Sequence, residues 1–413
     1  MPTDYGPTTW SGEPLDEVCG DHSLGCGRAR LVLESMAQKI LFVSATEYAV
    51  EHFAAPYITW LNDNAYDVHV LTGSQIGNFV PPEGVTTETI GLERQPNPAS
   101  DAVQLLKLVQ YMRKHSFDVV YSISPKGGLI AQLAAKIAGV KHRIHFVTGQ
   151  TWKTKTGGER ELLKRLDQLM NSVCTRAYID SSSQAEFLIE QGILPRQKAH
   201  VLGSGSVSGI LVEEFVFSEA NRRMVRERHG FSDDHIVVFF LGRISSVKGV
   251  TDLVKAFAIA SRENDKLRLL LVGPDDGDLP EVKRLIKEQR IDDIVASEFE
   301  STPRPAAHYS AAEIYCVPSY MEGFGNVVLE AACAGVPAVG ADIYGLQDSI
   351  ADGYSGLLYP SGDIGALADT LLRLANDTEL RKELGANAAA RVSAEFSQDR
   401  LVQEFAKAHK ALD

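Results

Sequence analysis

The chain has 413 residues, 44% of them apolar and 23% charged, which is the composition of a soluble globular protein long enough for two domains. Its net charge of -13 at pH 7 argues against nucleic acid as a partner, because nucleic-acid binding usually needs a basic surface. The longest apolar runs, such as residues 236–241 and 269–272, have the length of strands, whereas a membrane span needs about 20 residues.

Residues 1–35 are rich in turn-forming residues and lack a hydrophobic period, so we expect a poorly ordered extension without a signal peptide. Cys19, His22 and Cys26 lie close together in it, but they lack a second pair of ligands, and we expect no metal site. Met36 directly precedes the first apolar run and could serve as an internal start. The five cysteines of the chain are scattered, which favours a reducing cytoplasm over a disulfide framework.

From residue 36 onwards, short apolar runs alternate with segments of helical period. Strands are predicted over residues 40–44, 68–71, 118–122, 143–147 and 177–180. Strands that alternate with helices at this spacing predict a parallel, doubly wound sheet. We therefore expect a Rossmann-like domain over residues 36–205 and a linker over residues 206–232, where the composition changes after Gly203-Ser204-Gly205.

The same alternation starts again and predicts a second Rossmann-like domain over residues 233–395. Its predicted strands are residues 236–241, 267–272, 294–296 and 314–318. Two such α/β domains joined by a linker form a cleft, where ligands of these folds bind. Charged amphipathic helices follow, and the last one, within residues 396–413, could cross back to the first domain.

The stretch of residues 319–337 combines a glycine-rich turn with two carboxylates. It follows the predicted strand 314–318 and leads through Gly323-Phe324-Gly325 into a helix. The free N–H groups at a helix start bind anions, and the carboxylates of Glu322 and Glu330 can accept hydrogen bonds from sugar hydroxyls. The combination favours a sugar nucleotide, although Glu322 could be a solvated turn residue and Glu330 a favourable charge near the helix start.

A second cluster follows the strand 236–241, at the carboxyl end where ligands of parallel sheets bind. Arg243 offers a planar fork of donors for phosphate oxygens, and Lys248 offers a mobile positive charge. Both could stabilise a leaving diphosphate. The alternative is that both are surface cations on a turn.

Together these motifs resemble the retaining glycosyltransferases of family 4. The resemblance rests on Glu322 and Glu330, which seven residues separate, and on Gly242-Arg243 and Lys248-Gly249 upstream. It runs from about Met36 to the end of the chain. Residues 124–128, 148–150 and 203–205 resemble the bacterial branch that makes capsule, O-antigen and related surface polysaccharides.

The resemblance implies the GT-B fold, in which two Rossmann-like domains face a central cleft. It also implies retaining transfer of a sugar from a nucleoside diphosphate sugar, with a UDP-sugar favoured, and without a metal or other cofactor. The donor-binding residues would be Gly242, Arg243, Lys248, Glu322, Gly323, Phe324, Gly325, Asn326 and Glu330. Arg243 and Lys248 would hold the diphosphate, Glu330 the ribose and Glu322 the transferred sugar, so Arg243, Lys248 and Glu322 would be the catalytic residues.

The acceptor would be a polyprenyl diphosphate-linked sugar or another saccharide. Many relatives carry a histidine where this chain has Thr148, which leaves that role open. His52 could meet the acceptor or pack at the edge of the cleft. Lys126 begins a helix and could meet an acceptor phosphate, or it could be solvated.

Two further features suggest contacts outside the cleft. The sequence Asp276-Gly277-Asp278 resembles a metal motif of the other main glycosyltransferase fold, but we interpret it as a loop without metal. A basic cluster beside leucines 162, 163, 166 and 169 predicts contact with an anionic membrane surface at the inner face of the cell membrane, unless this is an ordinary domain-packing helix. The cations are Lys153, Lys155, Arg160, Lys164 and Arg165.

Three other functions remain open. A non-hydrolysing UDP-sugar 2-epimerase has the same fold and would convert its substrate without an acceptor. A non-catalytic partner subunit could bind a sugar nucleotide, although the intact Arg243, Lys248, Glu322 and Glu330 argue against it. A dinucleotide oxidoreductase is disfavoured because no Gly-x-Gly-x-x-Gly follows the first strand.

Overall fold

The computed structural model describes residues 38–73, 79–92, 97–300, 302 and 305–412. The expectations for residues 1–35, with Cys19, His22 and Cys26, and for a start at Met36 concern residues outside this part. Within it, no helix is long and apolar enough to cross a membrane, and no three histidine, cysteine or acidic side chains are grouped as metal ligands. The elements below all belong to the unit Lys39–Asp413.

The first sheet has seven strands in the described residues, in the order β3-β2-β1-β4-β5-β6-β7, and neighbouring strands pair in parallel. They are β1 (Lys39–Ser44), β2 (Asp67–Thr72), β3 (Thr86–Thr89), β4 (Val119–Ile123), β5 (His142–Val147), β6 (Arg176–Ile179) and β7 (Ala199–Val201). The helices of this half are α1 (Glu47–Phe53), α2 (Ala55–Asp63), α3 (Pro98–His115), α4 (Pro125–Ala138), α5 (Gly157–Val173) and α6 (Ser182–Glu190). The central strands are buried on both faces, which is why they are nearly continuous apolar runs in the sequence.

The second sheet has six strands in the described residues, in the order β10-β9-β8-β11-β12-β13, also paired in parallel. They are β8 (Ile236–Leu241), β9 (Leu267–Val272), β10 (Val295–Glu298), β11 (Ile314–Val317), β12 (Ala338–Ala341) and β13 (Gly356–Tyr359). The helices are α7 (Glu219–His229), α8 (Val250–Glu263), α9 (Leu279–Gln289), α10 (Pro305–Ala311), α11 (Asn326–Cys333), α12 (Leu346–Ser349), α13 (Ile364–Asn376), α14 (Thr378–Arg391) and α15 (Gln398–Lys410). Two parallel, Rossmann-like sheets confirm the predicted fold class.

The segment expected to be a linker, residues 206–232, largely belongs to the second domain. Helix α7 lies within it, and Val225 of this helix is fully buried. Phe215 and Phe231, on either side of the helix, join the same apolar core as β8. Helix α7 has only three apolar residues among its eleven, which is a weak hydrophobic signal for a helix.

The last helix packs on the opposite half of the molecule. Leu401 and Phe405 of α15 belong to the apolar core of the first domain. The ring of Phe405 stacks on Tyr57 of α2, with the ring centres 4.3 Å apart. At the end of the helix, Nδ1 of His409 lies 2.7 Å from the hydroxyl of Tyr121 on β4. Helix α15 therefore completes the core of the first domain.

Candidate active site

The site begins where β11 ends. This strand is buried along its whole length, and the turn of residues 318–325 leads from it to helix α11. We call it the donor turn after its predicted role. In the described residues, no side chain caps the first turn of α11. Its backbone N–H groups and the positive end of its dipole are therefore available to an anion.

Lys248 and Glu322 meet beside this helix start. Nζ of Lys248 lies 2.6 Å from Oε1 of Glu322, which also accepts a hydrogen bond of 2.7 Å from Ser319. The Lys248 side chain is 22% exposed, so the pair is partly shielded from water. The loop that carries Lys248 packs closely against the end of β11 at Gly249. The φ of Gly249 is 66°, and a Cβ there would collide with the carbonyl oxygen of Pro318. Two loops at the carboxyl ends of β8 and β11 thus bring together two residues that are far apart in sequence.

Arg243 has a different partner. It lies just beyond β8, but its guanidinium forms an ion pair with Asp276 in the loop after β9. The Arg243 side chain is 56% exposed, so this pair is open to solvent. Asp276 belongs to the Asp-Gly-Asp sequence, which forms a loop in which Asp275 accepts hydrogen bonds from the N–H groups of Gly277 and Leu279. Lys248 therefore pairs with Glu322, whereas Arg243 pairs with Asp276 in the loop after β9.

Glu330 lies in the second turn of α11 and is half-buried. The hydroxyl of Tyr309 on α10 donates a hydrogen bond of 2.8 Å to its Oε2. Burial raises the pKa of Glu330 to about 7, although the Tyr309 hydrogen bond opposes the rise. The carboxyl of Glu330 therefore changes its ionisation near neutral pH.

The other predicted donor residues hold this region together. The Gly242 N–H donates to the carbonyl of Val272 at 3.0 Å and so ties the end of β8 to β9. Phe324 is buried, with its ring 5.2 Å from that of Phe396. The Phe324 ring therefore anchors the donor turn, and the Gly242 N–H anchors the loop that follows β8.

The first domain packs directly against the donor turn at Gly323. A Cβ on Gly323 would collide with the carbonyl oxygen of Thr148, which follows β5. The same Cβ would lie 2.6 Å from Oδ2 of Asp180, which follows β6. Thr148 therefore lies at the cleft, and it contacts the turn through its backbone.

Asn326 connects the two domains by its side chain. Oγ of Ser206 donates to Oδ1 of Asn326 at 3.0 Å, and Nδ2 of Asn326 donates to Oγ of Ser208 at 2.6 Å. Ser206, Ser208 and Asp180 were not predicted from the sequence as residues of the site. The Gly203-Ser204-Gly205 segment was the available signal, since it marked the loop that carries both serines.

The other two predicted acceptor residues have partners within the first domain. The His52 ring stacks on Tyr48 of the same helix at 3.8 Å between centres, and its Nδ1 lies 2.9 Å from the Tyr48 carbonyl. Nζ of Lys126 lies 2.7 Å from a carboxylate oxygen of Asp101 on α3. Thr148 therefore lies at the donor turn, whereas His52 contacts Tyr48 and Lys126 contacts Asp101 within the first domain.

A further set of contacts joins the domains beside the turn. The Asp348 carboxylate of α12 accepts a hydrogen bond of 3.1 Å from the Ser183 N–H in the first turn of α6. Oγ of Ser183 accepts from the Gly345 N–H at 2.8 Å. The Tyr344 hydroxyl lies 3.2 Å from Oε1 of Gln150, and Nζ of Lys153 lies 3.8 Å from the centre of the Tyr344 ring. The cleft is therefore closed in this structure.

The structure thus joins two Rossmann-like domains, with a carboxylate, a cation and a helix start where they meet. The family described as glycosyl transferases group 1 matches residues 221–391, and the glycosyl transferase 4-like domain matches residues 49–205. A D-inositol 3-phosphate glycosyltransferase of Stackebrandtia nassauensis is 30% identical over 317 residues, which cover 71% of this chain and 68% of that protein. The chain is a glycosyltransferase and belongs to the group 1 glycosyl transferases with a 4-like first domain, which confirms the resemblance.

Two other proteins are similar along most of the chain. The capsular polysaccharide biosynthesis glycosyltransferase CapM of Staphylococcus aureus is 27% identical over 352 residues, covering 84% of this chain and 90% of CapM. The crystal structure of Anabaena HepE in complex with UDP has a TM-score of 0.74 at 20% identity, covering 91% of this chain and 100% of HepE. The likeness to HepE shows that the two-sheet architecture is the GT-B fold.

Proposed function

We propose that this glycosyltransferase moves a sugar from a UDP-sugar to a lipid-linked or other saccharide acceptor in surface polysaccharide synthesis, with retention of the anomeric configuration. The observation that carries the proposal is the Lys248–Glu322 pair, 2.6 Å apart, beside the uncapped start of α11. HepE has been solved with UDP and with UDP and glucose, which supports a UDP-sugar donor. CapM acts in capsular polysaccharide biosynthesis, which supports the acceptor class.

In this proposal, charge develops on the departing diphosphate. The bond between the anomeric carbon and the β-phosphate oxygen breaks, and Lys248 and the N–H groups of α11 stabilise the negative charge on that oxygen. Glu322 binds hydroxyls of the transferred sugar, and Glu330 binds the ribose hydroxyls. Arg243 reaches the diphosphate only after it leaves Asp276.

Retention follows if the acceptor attacks from the side on which the diphosphate leaves. The acceptor oxygen forms its bond to the anomeric carbon on that face, and its proton passes to the departing phosphate oxygen. No side-chain nucleophile and no metal or cofactor enters this scheme. The acceptor would approach from the first domain, where Thr148, His52 and Lys126 follow the carboxyl ends of β5, β1 and β4.

We also propose that α5 contacts an anionic membrane surface, which would place the enzyme at the inner face of the cell membrane. Leu162, Leu166 and Leu169 are exposed along one face of this helix, and Arg165 beside them is exposed as well. Exposed leucines with a flanking cation are suited to the boundary between headgroups and acyl chains. The neighbouring cations contribute less, since Lys164 donates to Gln191 at 3.0 Å and Arg160 to Glu161 at 3.1 Å.

The experiment for the reaction measures donor turnover. UDP-, GDP-, ADP- and TDP-sugars are screened with and without a polyprenyl diphosphate-linked acceptor, with EDTA present, and the product anomer is read by NMR. We expect a UDP-sugar to react and Lys248→Ala to lose roughly 10²–10³-fold in kcat, as after removal of one electrostatic stabiliser. Lys266→Ala, at the opposite end of the second sheet, is the matched control.

Near-parental turnover by Lys248→Ala would contradict the site. Conversion of the UDP-sugar to its 2-epimer without acceptor would point to an epimerase instead. Dependence of the rate on manganese would contradict the metal-free scheme, and an inverted product anomer would contradict retention.

The experiment for the membrane contact is sedimentation with vesicles. We expect more protein to bind phosphatidylglycerol vesicles than phosphatidylcholine vesicles, and a Leu162→Ser, Leu166→Ser variant to lose this binding. Ile259→Ser is the control, since Ile259 is an exposed apolar residue on α8 of the second domain. Absence of binding by the parent protein would end this proposal.

A further inference from the structure

One buried carboxyl of the first domain faces the donor turn. Asp180 directly follows β6, and only 5% of the residue is exposed. Its Oδ1 accepts a hydrogen bond of 2.9 Å from the Val207 N–H, and its main-chain oxygen accepts one of 2.7 Å from the Ser206 N–H. Its Oδ2 lies 2.6 Å from the position that a Cβ on Gly323 would occupy. Asp180 therefore touches the donor turn from the opposite side of the cleft.

The surroundings of Asp180 are poorly suited to a second negative charge. Glu322 precedes Gly323 on the donor turn and its charge raises the pKa of Asp180, and Lys248 is bound to that glutamate. The Tyr57 hydroxyl on α2 donates a hydrogen bond to the Val207 carbonyl. The charge of Asp180 also raises the pKa of this hydroxyl. Among the described residues, the Val207 N–H is the hydrogen-bond donor to the Asp180 side chain. An ionised Asp180 would be buried with one donor and with another carboxylate close by.

The ionisation of Asp180 reflects this environment. Burial raises the pKa of Asp180 to about 7; the Val207 N–H opposes the rise, and the charge of Glu322 adds to it. Two like charges that approach each other in a buried site favour a proton on one of them. A proton on Asp180 would remove the repulsion between the domains.

We propose that Asp180 is a positioning residue of the transfer reaction, and that it docks the first domain onto the donor turn in its neutral form. The docking acts in two ways: Asp180 contacts Gly323 directly, and it anchors the loop whose Ser206 and Ser208 hold Asn326 at the start of α11. This inference rests on the proposed function only for its kinetic readout, because the closure of the cleft can be measured without a substrate.

The proton on Asp180 determines in which direction closure of the cleft depends on pH. If closure requires a neutral Asp180, the closed form is favoured below about pH 7. The closed form is then lost as the pH rises, by up to about tenfold per unit for a single proton. The ionisation of Glu330 near the same pH acts on donor binding in the opposite direction.

The first experiment compares kcat between pH 6 and 9 for the parent and for Asp180→Asn. Asparagine can still accept from Val207 but is neutral at every pH, so we expect a falling limb above pH 7 in the parent and a flat profile in the variant. Asp167→Asn is the control: burial raises the pKa of Asp167 to about 6, but its carboxylate accepts from Trp152. We expect the kcat of this control variant to fall above pH 7, as it does in the parent.

The second experiment measures the radius of gyration by small-angle X-ray scattering, without substrate, at pH 6 and pH 8.5. We expect the parent to expand at the higher pH and Asp180→Asn to stay compact. The inference is overturned if the parent has the same radius at both values, or if Asp180→Asn keeps the parental falling limb or expands like the parent. A parent that expands but turns over no sugar nucleotide would leave this inference standing and refute the proposed function.

Discussion

The proposed donor side of the cleft, in the second domain, and the proposed acceptor side, in the first, are built differently. On the donor side, Lys248, Glu322 and Glu330 come from the ends of two neighbouring strands and the helix that follows, and Lys248 and Glu322 already touch. On the acceptor side, His52 and Lys126 have partners within their own domain, and Thr148 offers its backbone.

This difference shows how far a local motif can position a site. Glu322 and Glu330 lie in one turn and helix, and Lys248 follows the neighbouring strand of the same sheet, so the distances on the donor side are fixed within the second domain. The acceptor side depends on loops after three separate strands, and its arrangement depends on packing against the second domain. Arg243 shows the limit of the motif, since it lies on the donor side but pairs with Asp276.

The largest effect is expected where the two sides touch. Gly323→Ala would place a Cβ against the Thr148 carbonyl and 2.6 Å from Oδ2 of Asp180, and the domains would have to separate. We expect at least a roughly 100-fold loss in kcat/KM, as for a misplacement of about 1 Å. Because the collision is between domains, the Tm should change little.

Gly158→Ala is the control for this substitution, because a Cβ there has open space around it. Parental kcat/KM in Gly323→Ala would mean that the two sides need not approach as closely as the structure shows.

A smaller effect is expected for Glu330→Gln, and it should depend on pH. Above about pH 7 the Glu330 carboxyl is ionised, so the loss of a charged acceptor should weaken donor binding by about 10–100-fold. At pH 6, where both side chains are neutral, the difference should shrink. Calorimetric titration with UDP at both pH values measures this, with Glu379→Gln on the exposed face of α14 as the control.

Glu330→Gln also tests whether ionisation of Glu330 lowers the stability of the folded protein. The folded protein raises the pKa of Glu330 from 4.5 to about 7, so it binds this proton more tightly than the unfolded chain does. Its stability therefore falls as the pH rises between these values and stays lower above them. We expect Glu330→Gln to have a higher Tm than the parent at pH 8 and a similar Tm at pH 4.5; the opposite order would contradict the raised pKa.

Arg243 tests whether the donor side is complete. Asp276→Asn would free Arg243 before the donor arrives, and since an exposed ion pair contributes up to about 1 kcal/mol, donor Kd should fall by up to about fivefold. Arg243→Ala should raise it. Unchanged Kd values in both variants would place Arg243 on the surface, as the alternative interpretation of the sequence held.

The smallest effect is expected on the acceptor side. Asp101 already pairs with Lys126, so Lys126→Ala should raise the acceptor KM by less than about threefold. Lys136→Ala, on the same helix α4, is the control. A rise above tenfold in Lys126→Ala alone would show that the lysine meets an acceptor phosphate and that the acceptor side is better formed than we infer.

Much of the fold could be predicted from the sequence because buried parallel strands are apolar runs of regular spacing. Strands β1, β2, β4, β5, β8 and β9 were predicted within a residue or two of their observed ends. The short strands β3, β7, β12 and β13 were not predicted. Strand β3 is exposed along its length, and the other three have only three or four residues. Helix α7 was taken for a linker because its single fully buried valine is surrounded by charges.

The candidate site was predictable to the extent that it lies within one motif. The approach of Lys248 to Glu322 follows from two strand ends in one sheet. The contact of Asp180 with the donor turn and those of Ser206 and Ser208 with the start of α11 could not be predicted, since they depend on how two separate domains pack. The partner of Arg243 could not be predicted either, because an exposed guanidinium selects among nearby carboxylates by small energies.

The packing of α15 has a consequence for how the polypeptide is made. Leu401 and Phe405 supply part of the apolar interior around Tyr57, so that interior stays incomplete until α15 has been translated. The amino-terminal half should therefore emerge from the ribosome with an unfilled hydrophobic gap, and the two halves produced as separate polypeptides should need each other to become soluble.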